Sequence, residues 1–383
     1  MKFAFVSTMA SVPWGGSEVL WHSACRHLAG QGEQVCVAYP KWPTLPKQLK
    51  SLKEDFGIDV FEHGGSRSLA QRMALKIRGK TGAPVFMDRE RKWLRSNAPD
   101  LLCISSGNAT EGVSWMRLAA EEQVPFVTIA QAHVEFLWPD DDSADSLIRL
   151  FNAALRCYFV SHGNLNLFQH QLGADLHNAE VISNNGTALW DTNPIWPNSD
   201  DGIFRLACVG RLHPSSKGQD LLIDVLRQPQ WRDRSLVISL YGEGPQARSL
   251  RRLVDKYHLH DKIKFCGQVS DVVQIWCENH ALILPSRYEG LPLALVEALM
   301  CARTAIVTDV AGNAEVLEHG VTGFLAEAPA IASLARAMEE AWVSRERWRE
   351  MGQKARDRIR QQLPENPGAV LAGKLNALKG VKR

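Results

Sequence analysis

The chain has 383 residues, enough for two or three domains with full cores of their own, so neither a disulfide nor a structural metal is needed for folding. Hydrophobic residues at 45% and charged residues at 22% exclude a disordered chain. With 44 Lys and Arg against 42 Asp and Glu, the net charge of +2 is too even for a dedicated nucleic-acid binder.

The opening run KFAFVS predicts a strand at Lys2–Ser7. Its apolar part is too short and too soon broken for a signal peptide. No stretch approaches the roughly twenty apolar residues of a transmembrane helix, so a soluble, cytoplasmic protein is expected. A glycine loop at 14–16 leads into a helix over about 17–29, with Val19, Leu20, Ala24, Cys25 and Leu28 as its apolar stripe. VCVAY at 35–39 supplies the next strand. Strand, loop, helix and strand of this size make a βαβ unit, which implies a parallel sheet covered on both faces. Between 67 and 95 nine Lys and Arg stand against two acids, with interleaved apolar residues such as Leu69 and Trp93. That composition suits peripheral contact with an anionic membrane or a lipid-linked acceptor, and equally a solvated helical face.

Further short strands are expected at 101–105, 126–130, 157–161 and 181–183, separated by helical or mixed segments. Asp140, Asp141 and Asp142 contain a DxD pattern but precede a helix, where acids serve as cap and first turn, so no metal site is assigned. The eight cysteines form no CxxC pair and read as reduced thiols, several in apolar strands. A Pro-, Asn- and Asp-rich stretch at 187–202 reads as an interdomain linker.

Beyond it the alternation restarts, with strands at 204–209, 236–240, 262–266, 282–284 and 305–308 and helices that include 246–257 and 293–300. Helical character from 331 to about 362 ends at PENPG, before a short final helix. The organisation is α/β: a domain over 1–190, a second over 203–362, and a C-terminal tail, 363–383, that can return as a helix to the first domain. Two doubly wound domains form a deep cleft, and ligands bind at the carboxyl ends of such strands.

Chemistry concentrates in two segments of the second half. In SRYEGLPLALVE a buried strand feeds a loop with Glu289 and Gly290, then a helix carrying Glu297. The loop's N–H groups and the helix start suit a phosphate, and the two glutamates suit the hydroxyls of a nucleotide sugar. In VGRLHPSSKGQDLL a strand ends at Gly210, Arg211 follows, and Lys217 stands six residues on. Two cations at a domain mouth neutralise a diphosphate. No P-loop is present and no GxGxxG follows the first strand, against an NTPase or a standard NAD enzyme.

Together with LYGEGPQARSLRRLV, IKFCGQV and ALILPSRYEGLPLALVEALMCARTAIVTDVAGNAEVLEHGVTGFL, these segments resemble the GT-B-fold retaining glycosyltransferases of family 4, also called group 1. Glu289 and Glu297 match that family's E-x7-E signature, and the resemblance is strongest over 204–325. It implies a GT-B fold, two Rossmann-like domains facing across the cleft, and a hexosyl transfer that needs neither cofactor nor metal. It further implies that Arg211 and Lys217 bind the donor diphosphate, Glu289 meets the donor sugar and Glu297 holds the ribose. Gly290 and Leu291 would offer N–H groups, Gly210 precedes the basic pair, and the base would stack near 267–269, at Val269. In the first domain, Gly15 and Gly16 match the glycine loop near the diphosphate, and His133 matches a histidine that contacts the donor sugar. The chain departs from the common EGFG loop by reading EGLP, in which Pro292 offers no N–H.

The implied partners are a nucleotide-sugar donor, uridine by default, and a carbohydrate, glycolipid or other small acceptor. A role in glycoconjugate biosynthesis follows from the family. A sugar phosphorylase, a nucleotide-sugar epimerase and a non-catalytic sugar-nucleotide-binding subunit are the alternative readings.

Overall fold

The computed structural model describes all residues except 10, 65–86, 185–188, 199, 379 and 381–383. The first domain runs β1 (Lys2–Ser7), α1 (Val19–Gly30), β2 (Gln34–Pro40), α2 (Lys47–Phe56), β3 (Val60–His63), α3 (Asp88–Asn97), β4 (Leu101–Ser106), α4 (Val113–Glu121), β5 (Phe126–Ala130), α5 (Asp141–Ala153), β6 (Arg156–Phe159), α6 (His162–Leu172) and β7 (Ala179–Val181). Alternate residues of β1 feed opposite faces, Phe3 and Phe5 into one core and Ala4 and Val6 into the other. Helices α1 and α2 cover the first face; α3, α4, α5 and α6 cover the second.

The second domain runs β8 (Phe204–Val209), α7 (Pro214–Lys217), α8 (Gln219–Leu226), α9 (Pro229–Arg232), β9 (Leu236–Tyr241), α10 (Ala247–Tyr257), β10 (Ile263–Gly267), α11 (Val272–Glu278), β11 (Ala281–Leu284), α12 (Leu293–Met300), β12 (Thr304–Thr308), α13 (Asn313–Val316), β13 (Gly323–Ala326), α14 (Ile331–Val343) and α15 (Trp348–Gln362). Every strand pair described is parallel. The sheets run β3-β2-β1-β4-β5-β6-β7 and β10-β9-β8-β11-β12-β13. Both therefore share the doubly wound 3-2-1-4-5-6 order, which reverses direction between β1 and β4 and between β8 and β11.

Several expected elements move. The strand expected at 181–183 is β7, two residues earlier, and the one at 157–161 ends at Phe159 because Ser161 caps α6 by accepting from the Asn164 N–H. The helix expected over 331–362 breaks into α14 and α15 at a 3-10 turn, Arg345–Arg347. The break realigns the chain so that Trp348 and Met351 enter the same core as Leu334 and Met338. Asp140 caps α5, its Oδ1 accepting from the Ser143 N–H at 2.8 Å. Among the described residues no cysteine is disulfide-bonded, and only Cys266 is exposed.

A last helix, α16 (Pro367–Ala377), crosses back to the first domain, where Leu371 and Leu375 join the core under α1. Gly368 lies so close to α1 that a Cβ there would sit 2.1 Å from Ser23 Oγ. The linker, by contrast, is bound to the second domain. Arg303, 1% exposed, donates to the carbonyls of Trp276, Asn279 and Cys301 and, at 2.8 Å, of Ile195, and lies over the Trp196 ring. Burial without a carboxylate partner lowers its pKa to about 10. Arg356 holds Thr192 and Asn193, and Arg360 holds the Trp190 carbonyl.

Candidate active site

The second-domain half of the site is built where β8 and β11 diverge. Lys217 ends α7, and Gly218 follows with φ +63, a left-handed turn at which a Cβ would lie 1.8 Å from the Pro285 carbonyl. Only glycine meets both demands, and the turn places Lys217 beside the loop after β11. There Lys217 Nζ meets Glu289 Oε1 at 2.5 Å, and Ser286 Oγ donates to the same oxygen at 2.7 Å. Glu289 is 7% exposed, so its charge is held by a cation and a hydroxyl rather than by water. Gly210 lies against the Lys217 side chain.

The Arg211 guanidinium has no hydrogen-bond partner among the described residues. His213 joins the group: burial first, then the charges of Arg211 and Lys217, hold its pKa below the usual histidine value. The positive charge of Arg211 and Lys217 thus disfavours a third cation beside them. Arg287 is engaged elsewhere, bidentate on Asp220 at 2.7 and 2.8 Å.

Helix α12 adds its N-terminus. Pro292 is its N-cap, so the lost donor of the EGLP loop lies just before the helix. The N–H groups of Gly290 and Leu291 have no hydrogen-bond partner among the described residues. With the helix start they point to negative charge. One to two turns on, Glu297 keeps part of its surface open, has no partner among the described residues, and is pushed up to about 7 by burial.

On the first domain, His133 is 2% exposed. Its Nε2 meets Gln171 Oε1 at 2.8 Å, while Gln171 Nε2 donates to the Val134 and Glu135 carbonyls. Those carbonyls fix the Gln171 amide, so His133 Nε2 carries the proton and Nδ1 is a buried acceptor without a partner. Burial lowers the pKa of His133, which keeps the ring neutral.

Asn164, which the sequence reading missed, links the two halves. It accepts from the His133 N–H at 2.7 Å and donates to the Glu289 carbonyl across the cleft at 3.3 Å. No local pattern marks this linking role, because these two partners lie 31 and 125 residues away. The walls touch elsewhere too. A Cβ on Gly16 would meet Leu293, the Gly163 N–H donates to Glu315 at 2.9 Å, and Gly290 packs on the Gln131 carbonyl. Gly15 sits behind Gly16, against Met9. Val269 is partly buried against the same core cluster as Leu291 and Leu295.

Glu18, also missed, is 1% exposed beneath the glycine loop. The Trp21 indole N–H donates to Oε2 at 2.8 Å, and Oε1 meets the Ser7 hydroxyl at 3.1 Å. Burial pushes the carboxyl up to about 7, against the smaller, opposite effect of these bonds. Since its folded pKa lies above the unfolded 4.5, the fold favours the protonated acid, and Glu18's contribution to stability is lost as pH rises from 4.5 through about 7. In Glu18→Gln the carbonyl keeps the Trp21 bond and the NH₂ can donate to Ser7. The variant is expected to match wild type near pH 5 and to gain up to about 3 kcal/mol at pH 8. Denaturant melts at both pH values check this, and parallel shifts at the two would refute it.

Of the basic segment 67–95, residues 67–86 lie outside the described residues, as do Asn185 and Gly186. Within the described part, Arg91 and Arg95 pair with Glu121 and Glu122 on the first domain's own surface. No helix among the described residues is long and apolar enough to cross a membrane.

Two Rossmann-like domains facing across a cleft, with a basic and carboxylate cluster at the switch point of the second, define the GT-B class of glycosyltransferases. Solved structures with this fold include HepE of Anabaena in complex with UDP-glucose (TM-score 0.73, 19% identity, covering 99% of this chain and 100% of that one). Sucrose-phosphate synthase of Thermosynechococcus elongatus is similar as well (TM-score 0.75, 19% identity, 98% of both chains). Residues 14–184 match the model of Glycosyltransferase Family 4, and residues 197–358 that of glycosyl transferases group 1. The chain belongs to glycosyltransferase family 4.

Among curated relatives, N-acetyl-alpha-D-glucosaminyl L-malate synthase of Bacillus anthracis is 32% identical over 123 residues, 32% of each chain. An uncharacterized glycosyltransferase of Methanocaldococcus jannaschii is 30% identical over 195 residues, 48% of this chain and 52% of that one. The matches thus span about a third and about half of these relatives' lengths.

Proposed function

We propose that the protein transfers a sugar from a nucleoside-diphosphate sugar, a UDP-sugar in the first instance, to an acceptor hydroxyl, with retention at the anomeric carbon and without a metal. The observation that carries this reading is the Lys217–Glu289 pair beside a free Arg211 and the unpartnered Gly290 and Leu291 amides. That HepE is described with UDP and with UDP-glucose supports the uridine donor.

As the anomeric C–O bond breaks, charge grows on the diphosphate, and Arg211, Lys217 and the α12 N-terminus stabilise it where other enzymes use a divalent cation. The acceptor oxygen forms its bond on the face the diphosphate leaves, and its proton passes to a diphosphate oxygen. Glu289, held by Lys217 and Ser286, serves as a hydroxyl acceptor and not as a nucleophile. Glu297 accepts from the ribose hydroxyls, which needs its ionised form. Its pKa near 7 therefore makes UDP bind roughly tenfold tighter at pH 8 than at pH 6, and Glu297→Gln should flatten that dependence.

Calorimetric titration of UDP, GDP, ADP, TDP and CMP against wild type and Lys217→Ala, with chelator present, tests the reading. Preference for one diphosphate, weakened by the substitution, is the expected result. A folded protein that binds none of them would overturn it.

A further inference from the structure

The loop between β5 and α5 breaks the ordinary rule for surfaces. Three consecutive large apolar residues stand in water there: Phe136 is 71% exposed, Leu137 40% and Trp138 61%. Contiguous apolar surface of this kind marks a binding site more often than chance. The loop is also held firmly. Gln171 Nε2 donates to the Val134 carbonyl at 3.2 Å and the Glu135 carbonyl at 3.0 Å, and Asp140 caps α5 on the far side. The Trp138 ring is steadied edge-on by His170, with centroids 5.6 Å apart. A displayed aromatic ridge on an anchored loop loses little freedom when it binds.

Phe136 of this ridge lines a cavity at the cleft mouth, and Trp138 stands two residues along, outside its lining. Phe136 meets the Tyr288 ring of the second domain at 5.9 Å, and Tyr288 is the residue before Glu289. Glu135, Pro214 and Asp220 line the space between them, about 530 Å³, within the range of pockets that enclose a small ligand.

Charge decides the class of occupant. No lysine or arginine occurs between Arg117 and Arg149, whereas Glu135, Asp140, Asp141, Asp142 and Asp145 all fall there. Arg287 on the cavity wall is already neutralised by Asp220. An anionic lipid surface or an anionic acceptor is repelled by this rim. Aromatic faces beside the Glu135 carboxylate, which has no side-chain partner among the described residues, suit instead a ligand with apolar C–H faces and many hydroxyl donors.

From this we infer that Phe136, Trp138 and Glu135 bind the carbohydrate part of the acceptor, a neutral oligosaccharide reaching out of the cleft past Tyr288. The inference rests on the transferase reading above and names the acceptor class for it.

The test uses full-length protein, wild type and the double variant Phe136→Ala with Trp138→Ala. Each is titrated, with UDP present, against neutral oligosaccharides of two to four glucose, galactose, mannose or N-acetylglucosamine residues. Each is also sedimented with vesicles of phosphatidylcholine and phosphatidylglycerol. At least one oligosaccharide is expected to bind wild type and to lose at least tenfold in affinity in the double variant, while UDP affinity changes less than twofold. Equal oligosaccharide binding by both proteins overturns the site. So does the absence of oligosaccharide binding by wild type, or vesicle binding that depends on the two aromatics. If UDP still binds when oligosaccharides do not, this inference alone falls; if UDP fails as well, the transferase reading falls with it.

Discussion

Lys217→Ala is expected to lower turnover by a factor on the order of 10²–10³, the usual effect of deleting one preorganised charge-stabilising donor. The structure adds a second reason for a large effect. Lys217 is the only cation bonded to the Glu289 carboxylate among the described residues, and its removal leaves a buried charge with Ser286 alone. An uncompensated buried charge destabilises its surroundings far more than the intact pair stabilises them. Donor affinity should therefore fall together with kcat. Lys217→Arg should not restore activity, because the longer, planar fork cannot set a single donor where Lys217 Nζ meets Glu289 Oε1 at 2.5 Å. A double-mutant cycle with Glu289→Gln should show strong non-additivity. Near-normal turnover in Lys217→Ala would dismiss the clamp.

Gly290→Ala should cost about 10²-fold in turnover with little loss of stability. A Cβ at this position would lie 1.9 Å from the Gln131 carbonyl and 2.8 Å from Val160 Cγ2, both on the first domain. A carbonyl oxygen at the end of a strand cannot swing aside as a flexible side chain can. The second domain should fold as before, and the penalty should appear only when the two walls meet. A displacement of about 1 Å at the reacting centre is enough to cost 10²-fold. The expected signature is a depressed kcat with a melting temperature close to wild type and less than tenfold weaker UDP binding. Unchanged kcat would mean that the reacting state is more open than this one.

The sequence was most informative where function is local. Arg211 and Glu289 stand in the loops directly after β8 and β11, and Lys217 and Glu297 in the helices that follow those loops, so spacing along the chain carries all four toward the ends of the two strands. The first domain hides its contributions. Asn164 reaches His133 and Glu289 only through the stacking of β5, β6 and α6, and Gln171 sits two turns further along α6. Glu18 looks like an ordinary first-turn acid, and only the packing of Trp21 and Ser7 reveals it as buried. The short edge strand β3, VFEH, is half-buried throughout and lacks the alternation that would announce it. The break between α14 and α15 was equally unmarked, since neither Gly nor Pro stands at Arg345–Arg347.

The route of the chain bears on how members of this family could be recombined. Residues 190–196 are fastened to the second domain by Arg303, Arg356 and Arg360, while α16 completes the core beneath α1. A chimera that exchanged only the N-terminal half at the linker would pair a foreign α1 with the native α16. Gly368 against Ser23 and Lys374 against Glu180 would then face the wrong partners. A graft intended to carry acceptor choice from one relative to another should take both pieces, the stretch ending near Asn184 and the helix beginning at Pro367, as one cassette drawn from two separate parts of the sequence.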